Sequence, residues 1–415
     1  MSSLHVDEPV ALTWPAEINR VPYQVFSDPT IYKMEQKRIF RGPTWSYVGL
    51  EAEVPKPGDF KATFIGDTPV AVSRDKDGSL HVFVNRCAHR GALVCREAFG
   101  NHAAHVCVYH QWSYDLQGHL KGVPFRKGIE GKGGYNDDFD PAKHSLHKLK
   151  VDSYHSLIFA SFDEKVERLE DYLGPEMRPW IDRVFNRPVR VLGYARQFIN
   201  ANWKLYAENV RDPYHASLLH LFHTTFGIYR SSQGGGESMD SKGRHSILRA
   251  FKRTEAEEIS AYKGTELRTY QDQYKLADAS LLKSRKEFEI ELTNSINTIF
   301  PCLVIQQIQN TLATRHIMPK APDKFELIFT FFGYEDDDEE MQQIRIKQAN
   351  LVGPAGYISM EDGYATELVQ RSIVGESDGS SYIELGGKGI ENQENLVTEA
   401  GIRGFYRYYR ELMAL

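Results

Sequence analysis

The chain has 415 residues, 41% apolar and 26% charged, which excludes global disorder and allows two or three domains or one large domain with an insert. Fifty Lys and Arg against 56 Asp and Glu give a net charge of −6 with no long basic block, so a nucleic-acid partner is not expected. The longest apolar runs, such as 157–160 and 329–332, fall far short of the ~20 residues of a membrane helix, and no basic segment leads into an apolar run at the N-terminus; a cytoplasmic location is expected.

In chain order, residues 1–40 carry Pro9, Pro15, Pro22 and Pro29, then a short charged helical stretch over 31–40. They read as an N-terminal arm packing on the larger C-terminal domain. From 45 to 162 the pattern is strand-like: alternation over 69–73 and 80–84 brackets an Asp77-Gly78 turn, and 113–120 holds a second turn at Gly118. Helical patterns follow over 202–229, 278–293 and 361–373, whereas 301–319 and 325–334 read as long strands. The expected fold class is α+β, with a small all-β domain (41–160) inserted before a larger domain of antiparallel sheet and helices (161–415). Gly234-Gly235-Gly236 is expected to be a flexible surface loop, and the acidic run 335–340 a solvated turn.

Four cysteines, Cys87, Cys95, Cys107 and Cys302, are too few for a disulfide scaffold. Two of them belong to a metal-like pattern: Cys87-Ala-His89, 17 residues, then Cys107-Val-Tyr-His110. Zinc fingers usually group Cys with Cys and His with His, but here each arm offers one thiolate and one imidazole. That distribution suits a two-iron cluster with thiolates on one iron and histidines on the other, whose potential lies above that of an all-Cys cluster. The pattern resembles the Rieske domain, a one-electron relay. Cys95 follows the first arm, but Tyr109 stands where respiratory Rieske proteins place a disulfide partner, so Cys95 is expected to be a free thiol. A zinc-stapled binding protein would share the ligand types but would be colourless and redox silent. A Rieske electron carrier would need only the β domain, and leaves the larger C-terminal part unexplained.

A second constellation spans Glu208, Asn209, Asp212, Tyr214, His215 and His220. His215 and His220 stand ~140° apart on an ideal helix, so both reach one metal only if the helix ends or distorts between them; His220 and His223 are better spaced on geometry alone. Two His and one carboxylate leave coordination positions open for oxygen and substrate, as in non-heme Fe(II) oxygenases. Asp362 supplies such a carboxylate, although Ser359 followed three residues later by Asp362 also reads as a helix N-cap pair.

With these residues in view, the whole chain resembles the large, catalytic subunit of a Rieske non-heme iron aromatic-ring-hydroxylating oxygenase. The resemblance implies that Cys87, His89, Cys107 and His110 bind a Rieske 2Fe-2S cluster, and that His215, His220 and Asp362 bind mononuclear Fe(II), setting His223 aside as a ligand. Asp212 is implied to bridge His110 of one subunit and His215 of the next, with Asn209 beside it in the catalytic apparatus. The family assembles as a homotrimer around such junctions, and many members add a small β subunit. No strand-framed dinucleotide fingerprint occurs in the sequence, so electrons are expected from a separate reductase, with or without a ferredoxin.

Within the family the chain is most similar to the salicylate, anthranilate and terephthalate oxygenases, through Val123-Pro-Phe-Arg126-Lys-Gly, Asp212-x-Tyr-His215 and Ile305-Gln306-Gln307. Alternation over 305–315 places Ile305, Gln307 and Arg315 on one strand face as a candidate substrate wall, where a guanidinium would clamp a carboxylate at two points. Leu396-Val397-Thr398-Glu399 offers an apolar residue where the terephthalate type has a second Arg. The expected substrate is therefore salicylate or another ortho-substituted monocarboxylate, with a terephthalate-type dicarboxylate as the alternative.

Overall fold

A computed structural model describes residue 12, residues 14–376 and residues 378–415; the part of the expected N-terminal arm over 1–11 and at 13 lies outside the described residues. Two antiparallel seven-stranded sheets organise the chain. The first runs Ser46–Leu50, Leu157–Ser161, Lys148–Tyr154, Leu80–Val84, Thr68–Arg74, Asp59–Ile65 and Phe99–Asn101 in spatial order. Its first two strands are buried on both faces. Tyr47, Leu50, Leu157 and Phe159 point at the helix Leu169–Val184, while Val48, Ile158 and Ala160 point into the main core. This two-sided burial accounts for their continuous apolar sequences. A small three-stranded sheet, His105–Val106, Ser113–Tyr114 and Leu120–Gly122, forms a separate tip with its own core around Cys87, Cys107, Trp112 and Tyr114.

The second sheet runs Val189–Ile199, Lys324–Tyr334, Thr311–Ala321, Leu303–Ile308, Asn294–Ile299, Ser246–Phe251 and Gly234–Met239. One face, with Val304, Ala313, Phe325, Leu327 and Phe329, packs on Trp203 and Tyr206 and on Phe405 and Tyr409 of the C-terminal helix Ala400–Met413. The other, with Leu303, Ile305, Leu312 and Phe332, packs on Leu173, Met177 and Ile181. The period-two alternation of the Lys324–Tyr334 strand distributes its aromatic residues between these two cores.

Several expectations are corrected. The stretch 301–319 is a hairpin, turning at Gln309 (φ 50°) and Asn310 between two strands paired Val304 to Arg315 and Gln306 to Ala313. The 278–293 segment is irregular apart from the short 3₁₀ turn Ala279–Leu282. The 202–229 pattern divides into three helices, Trp203–Asn209, Ala216–Leu219 and Leu221–Thr225. Gly234, Gly235 and Gly236 lie within the edge strand, where a side chain at Gly236 would strike the Gln393 carbonyl, 2.0 Å from its Cβ position. Close backbone approach rather than flexibility explains that triple glycine. In the acidic run, Asp337 is buried against Arg345 at 2.7 Å and Asp338 caps the helix Glu339–Val352. Among the described residues no helix is long and apolar enough to cross a membrane.

Candidate metal centres and substrate pocket

The two tip loops share one backbone design. Cys87 N–H donates to Ala92 O at 2.8 Å and Gly91 N–H to Cys87 O at 2.9 Å; Cys107 N–H donates to Trp112 O and Gln111 N–H to Cys107 O, both at 2.9 Å. Each loop reverses through a left-handed residue, Gly91 (φ 77°) or Gln111 (φ 55°). The matched turns bring the four expected ligands to one end of the tip. Cys87 and Cys107 are buried with no disulfide to any cysteine, and the His89 and His110 rings lie 4.5 Å apart at 75°. Trp112 stacks on His89 at 4.8 Å and 8°, and Tyr114 Oη lies 3.3 Å from Cys87 Sγ. His89 Nδ1 is buried without a protein partner. Two unbridged buried thiols beside two imidazoles, one with an orphaned nitrogen, fit a Cys₂His₂ two-iron cluster.

The second centre is built where the 202–229 pattern breaks. Asn202 caps the first helix through Lys204 N–H at 3.1 Å, and that helix ends at Asn209. Pro213 follows Asp212, whose Oδ1 accepts Tyr214 N–H at 2.8 Å and His215 N–H at 3.1 Å, a turn that opens the next short helix. At His220 (φ −91°, ψ 88°) the chain leaves helical geometry before the third helix starts. This break meets the spacing problem posed by the sequence, because it lets two histidines five residues apart converge. Asp362 comes from the helix Tyr357–Ile373, capped by Gly356 rather than Ser359, whose hydroxyl instead bonds Gln197 at 3.0 Å. Gly363 lets that helix lie against Gln197, whose amide nitrogen is 2.2 Å from the position a Cβ would take.

The N-cap reading of Asp362 is thereby set aside, and its Oδ1 lies 3.3 Å from His215 Nε2 and 3.1 Å from His220 Nε2. Ligand atoms of His215, His220 and Asp362 all fall within 4.8 Å of one another, a grouping that does not include His223. The ring orientations are held from behind: Glu361 Oε2 lies 2.7 Å from His220 Nδ1, and Asp212 Oδ2 lies 3.4 Å from His215 Nδ1. Burial pushes His215 down, yet Asp212 and Asp362 outweigh it and hold the ring at about 10; Asp362 itself, for all its burial, is held well below the usual carboxylate range by His220 and His215. Asn209 Nδ2 adds N–H contacts to His215 Nε2 at 3.2 Å and to Asp362 Oδ1 at 3.1 Å. Two imidazoles and one carboxylate converging on a single point, with their outer nitrogens held by carboxylates, fit a site for a divalent cation.

A pocket opens beside this centre, lined by Leu248, Ile296, Ile308 and Ile358 together with Asn294, His223 and Arg315. Arg315 is buried, its Nε donating to Gln306 Oε1 at 2.8 Å and its Nη1 to Tyr206 Oη at 2.9 Å, with the guanidinium 5.0 Å above the Phe329 ring. The hairpin register separates the expected wall. Ile305 faces the opposite core, and Gln307 lies on that same face, donating to Leu292 O and Gln309 O at 3.1 and 2.8 Å, at a different cleft. Gln306 takes the place beside Arg315 that the sequence reading gave to Gln307. Asn310 is the one weak turn residue that could have broken that alternation, since neither Gly nor Pro marks the hairpin, and Tyr206 and Glu361 carried no recognised signal.

Among the described residues, no hydrogen bond, ion pair or ring contact joins the cysteine-histidine loops to the His215, His220 and Asp362 group. Residues 44–132 match the Rieske [2Fe-2S] domain and residues 159–415 the catalytic domain of the ring-hydroxylating alpha subunit. The chain belongs to the ring-hydroxylating Rieske oxygenase alpha subunits, oxidoreductases that carry a Rieske cluster and a mononuclear iron. It is 56% identical over 396 residues to the anthranilate 1,2-dioxygenase large subunit of Burkholderia cepacia, covering 95% of this chain and 93% of that one. Over 403 residues it is 46% identical to the terephthalate 1,2-dioxygenase terminal oxygenase component subunit alpha 2 of Comamonas sp, covering 97% of each. It is 44% identical over 407 residues to the salicylate 5-hydroxylase large oxygenase component of Ralstonia sp, covering 96% of each. The naphthalene 1,2-dioxygenase of Rhodococcus sp. bound to indole shares the fold, with a TM-score of 0.78 at 24% identity over 95% of this chain and 94% of that one.

Proposed function

We propose that this subunit hydroxylates an ortho-substituted aromatic monocarboxylate of the anthranilate and salicylate type. One observation carries the reading: Arg315 is the only Lys or Arg among the described lining residues of the pocket, it is buried, and it makes no ion pair, bonding only the neutral Gln306 and Tyr206. A buried guanidinium without a counter-ion is costly unless a ligand supplies the anion, and its planar fork matches a carboxylate. Leu396 packs behind the lining residues Tyr229 and Leu248, and no second Lys or Arg stands among the described lining residues to pair with a dicarboxylate. The 56% identity to an anthranilate dioxygenase subunit supports the same substrate class.

In this reading Cys87, His89, Cys107 and His110 hold the cluster, and His215, His220 and Asp362 hold the iron. The bound metal centres supply single electrons and oxygen activation. The protein's own groups do the rest. Glu361 and Asp212 fix the imidazoles, Arg315 turns one edge of the arene toward the iron ligands, and the four aliphatic side chains exclude water. Electrons come from a reductase, directly or through a ferredoxin, because the sequence has no framed dinucleotide fingerprint. The subunit assembles as a homotrimeric core, with or without a small β subunit, in which Asp212 bridges His215 to His110 of a neighbouring copy. Domain boundaries at 41–160 and 161–415 fit this division of labour.

Turnover of the purified subunit with a competent reductase on anthranilate, salicylate and terephthalate, with oxygen uptake and product identification, tests the proposal. Hydroxylated product from an ortho-substituted monocarboxylate is expected. Coupled turnover of terephthalate in its place would overturn the substrate assignment.

A further inference from the structure

We propose that His223 reads the ortho substituent: its imidazole hydrogen-bonds the amino or hydroxyl group adjacent to the carboxylate that Arg315 holds. The inference rests on the carboxylate reading above and adds the residue that makes it ortho-specific. His223 is 3% exposed, yet neither Nδ1 nor Nε2 has a hydrogen-bond partner, and the side chain lines the iron-side pocket. A buried polar ring left wholly unpartnered is uncommon and costly, so such a ring facing a pocket points to a ligand group that completes it.

Four other polar side chains of the pocket already have protein partners. Asn209 contacts His215 and Asp362, Asp212 accepts two backbone N–H groups, Tyr229 donates to Pro213 O at 2.8 Å, and Asn294 donates to Ile228 O at 3.0 Å. His223 is also outside the group whose ligand atoms converge, and its ring centroid stands 5.2 Å from that of His220. Its position is fixed by the short helix it sits on: Thr224 Oγ1 donates to Ser217 O at 2.8 Å, and the His223 carbonyl accepts Ile228 N–H at 2.9 Å. An ortho group and its carboxylate share one ring edge, so a ligand clamped on Arg315 presents that group to one side of the pocket only. A site built to bond an N–H or O–H discriminates against the analogue lacking it, because its own polar group is then left unpaired.

The test is equilibrium binding of anthranilate and benzoate to the metal-loaded protein, as wild type, His223→Leu and His223→Gln. The wild type should prefer anthranilate by about tenfold, the worth of one neutral buried hydrogen bond. His223→Leu should lose that preference, weakening anthranilate about tenfold while leaving benzoate within about twofold, with iron content unchanged. His223→Gln, which keeps a donor and an acceptor, should restore part of the preference, and it carries the test if the Leu variant lacks the cluster spectrum. An equal change for both ligands, no change for either, or loss of the mononuclear iron from His223→Leu would overturn the proposal. Failure of the carboxylate reading is separately visible, as unaltered benzoate affinity in Arg315→Met.

Discussion

Replacing Arg315 by Met keeps an unbranched apolar stem and removes the guanidinium with its charge. In the folded chain the guanidinium bonds Gln306 and Tyr206 while presenting its charge to the pocket, so the substitution acts on the ligand and on these two neighbours. A charge-assisted bond to a ligand carboxylate contributes about 1.5–3 kcal/mol, which is roughly ten- to a hundredfold in affinity. Leaving Gln306 Oε1 and Tyr206 Oη without their donor costs a further ~1–3 kcal/mol of fold stability, offset in part because a buried charge disappears. Comparing anthranilate with its uncharged amide, 2-aminobenzamide, separates the two effects, since general loosening weakens both ligands alike. The wild type should bind the acid more tightly than the amide by roughly ten- to a hundredfold, and Arg315→Met should bind them about equally. Arg315→Lys should recover only part, because an ammonium cannot make the planar two-point contact. A Met variant that still prefers the acid would falsify the clamp.

Metal analysis should give about three irons per chain, and His215→Ala or Asp362→Ala should leave about two with the visible cluster spectrum intact; three irons in both variants would refute the ligand set. Asp212→Asn should keep both centres but slow oxygen-driven oxidation of the reduced cluster in stopped flow, and a wild-type rate would remove the bridge. Burial raises Glu237 and Glu208 to about 8 in the folded state, so each keeps a proton that the unfolded chain has released. Their contribution is complete below the unfolded carboxyl pKa near ~4.3 and falls by about 1.4 kcal/mol per pH unit per group as pH rises toward the folded value, so Glu237→Gln should flatten the pH dependence of urea midpoints across that window; an unchanged slope contradicts it. Glu35→Leu should strand the Lys204 ammonium and cost about 3–5 kcal/mol in denaturant unfolding, whereas Glu35→Leu with Lys204→Met should recover most of it; equal losses in both variants would show that the pair itself is not what matters.

The parts of the site legible in sequence were those carried by short spacings. Cys87, His89, Cys107 and His110 fall within two loops of matching design, and the requirement that a helix break between His215 and His220 follows from their separation alone. What the sequence hid was tertiary. Alternation reads 301–319 as one strand because the hairpin turn at Gln309-Asn310 lacks Gly and Pro, and reversing the chain there moves Gln306 rather than Gln307 beside Arg315. The glycines of 234–236 read as a loop because close approach to the Gln393 backbone is a contact far away in the chain, with no local signature. In 278–293 charged residues mimic a helical face, but buried ion pairs such as Glu287 with Arg345 hold that segment in an irregular path.

The helix that ends beside the His215, His220 and Asp362 group is anchored by a buried polar node. Glu35, from the N-terminal segment, accepts Trp203 Nε1–H at 2.8 Å, Lys204 Nζ–H at 2.6 Å and Tyr409 Oη–H at 2.6 Å, with all four side chains buried. Burial lowers the Lys204 ammonium and Glu35 opposes that, so the pair exists only while the carboxylate stands in place. Such a pair adds little net stability over an apolar replacement, because desolvation cancels much of the attraction. What it supplies is register: shifting the Trp203–Asn209 helix by one residue would bury Lys204 without a counter-ion, which is far costlier than any apolar mismatch. The same helix is tied at its start, where Asn202 N–H donates to Gln370 Oε1 at 2.8 Å, and near its end, where Tyr406 bonds Glu208. Gln370 belongs to the helix that carries Asp362, so the two helices are held in one relation. Asn209, the last residue of this helix, contacts both His215 and Asp362, so the anchoring contacts of Glu35, Gln370 and Tyr406 all bear on the helix that meets the candidate metal group.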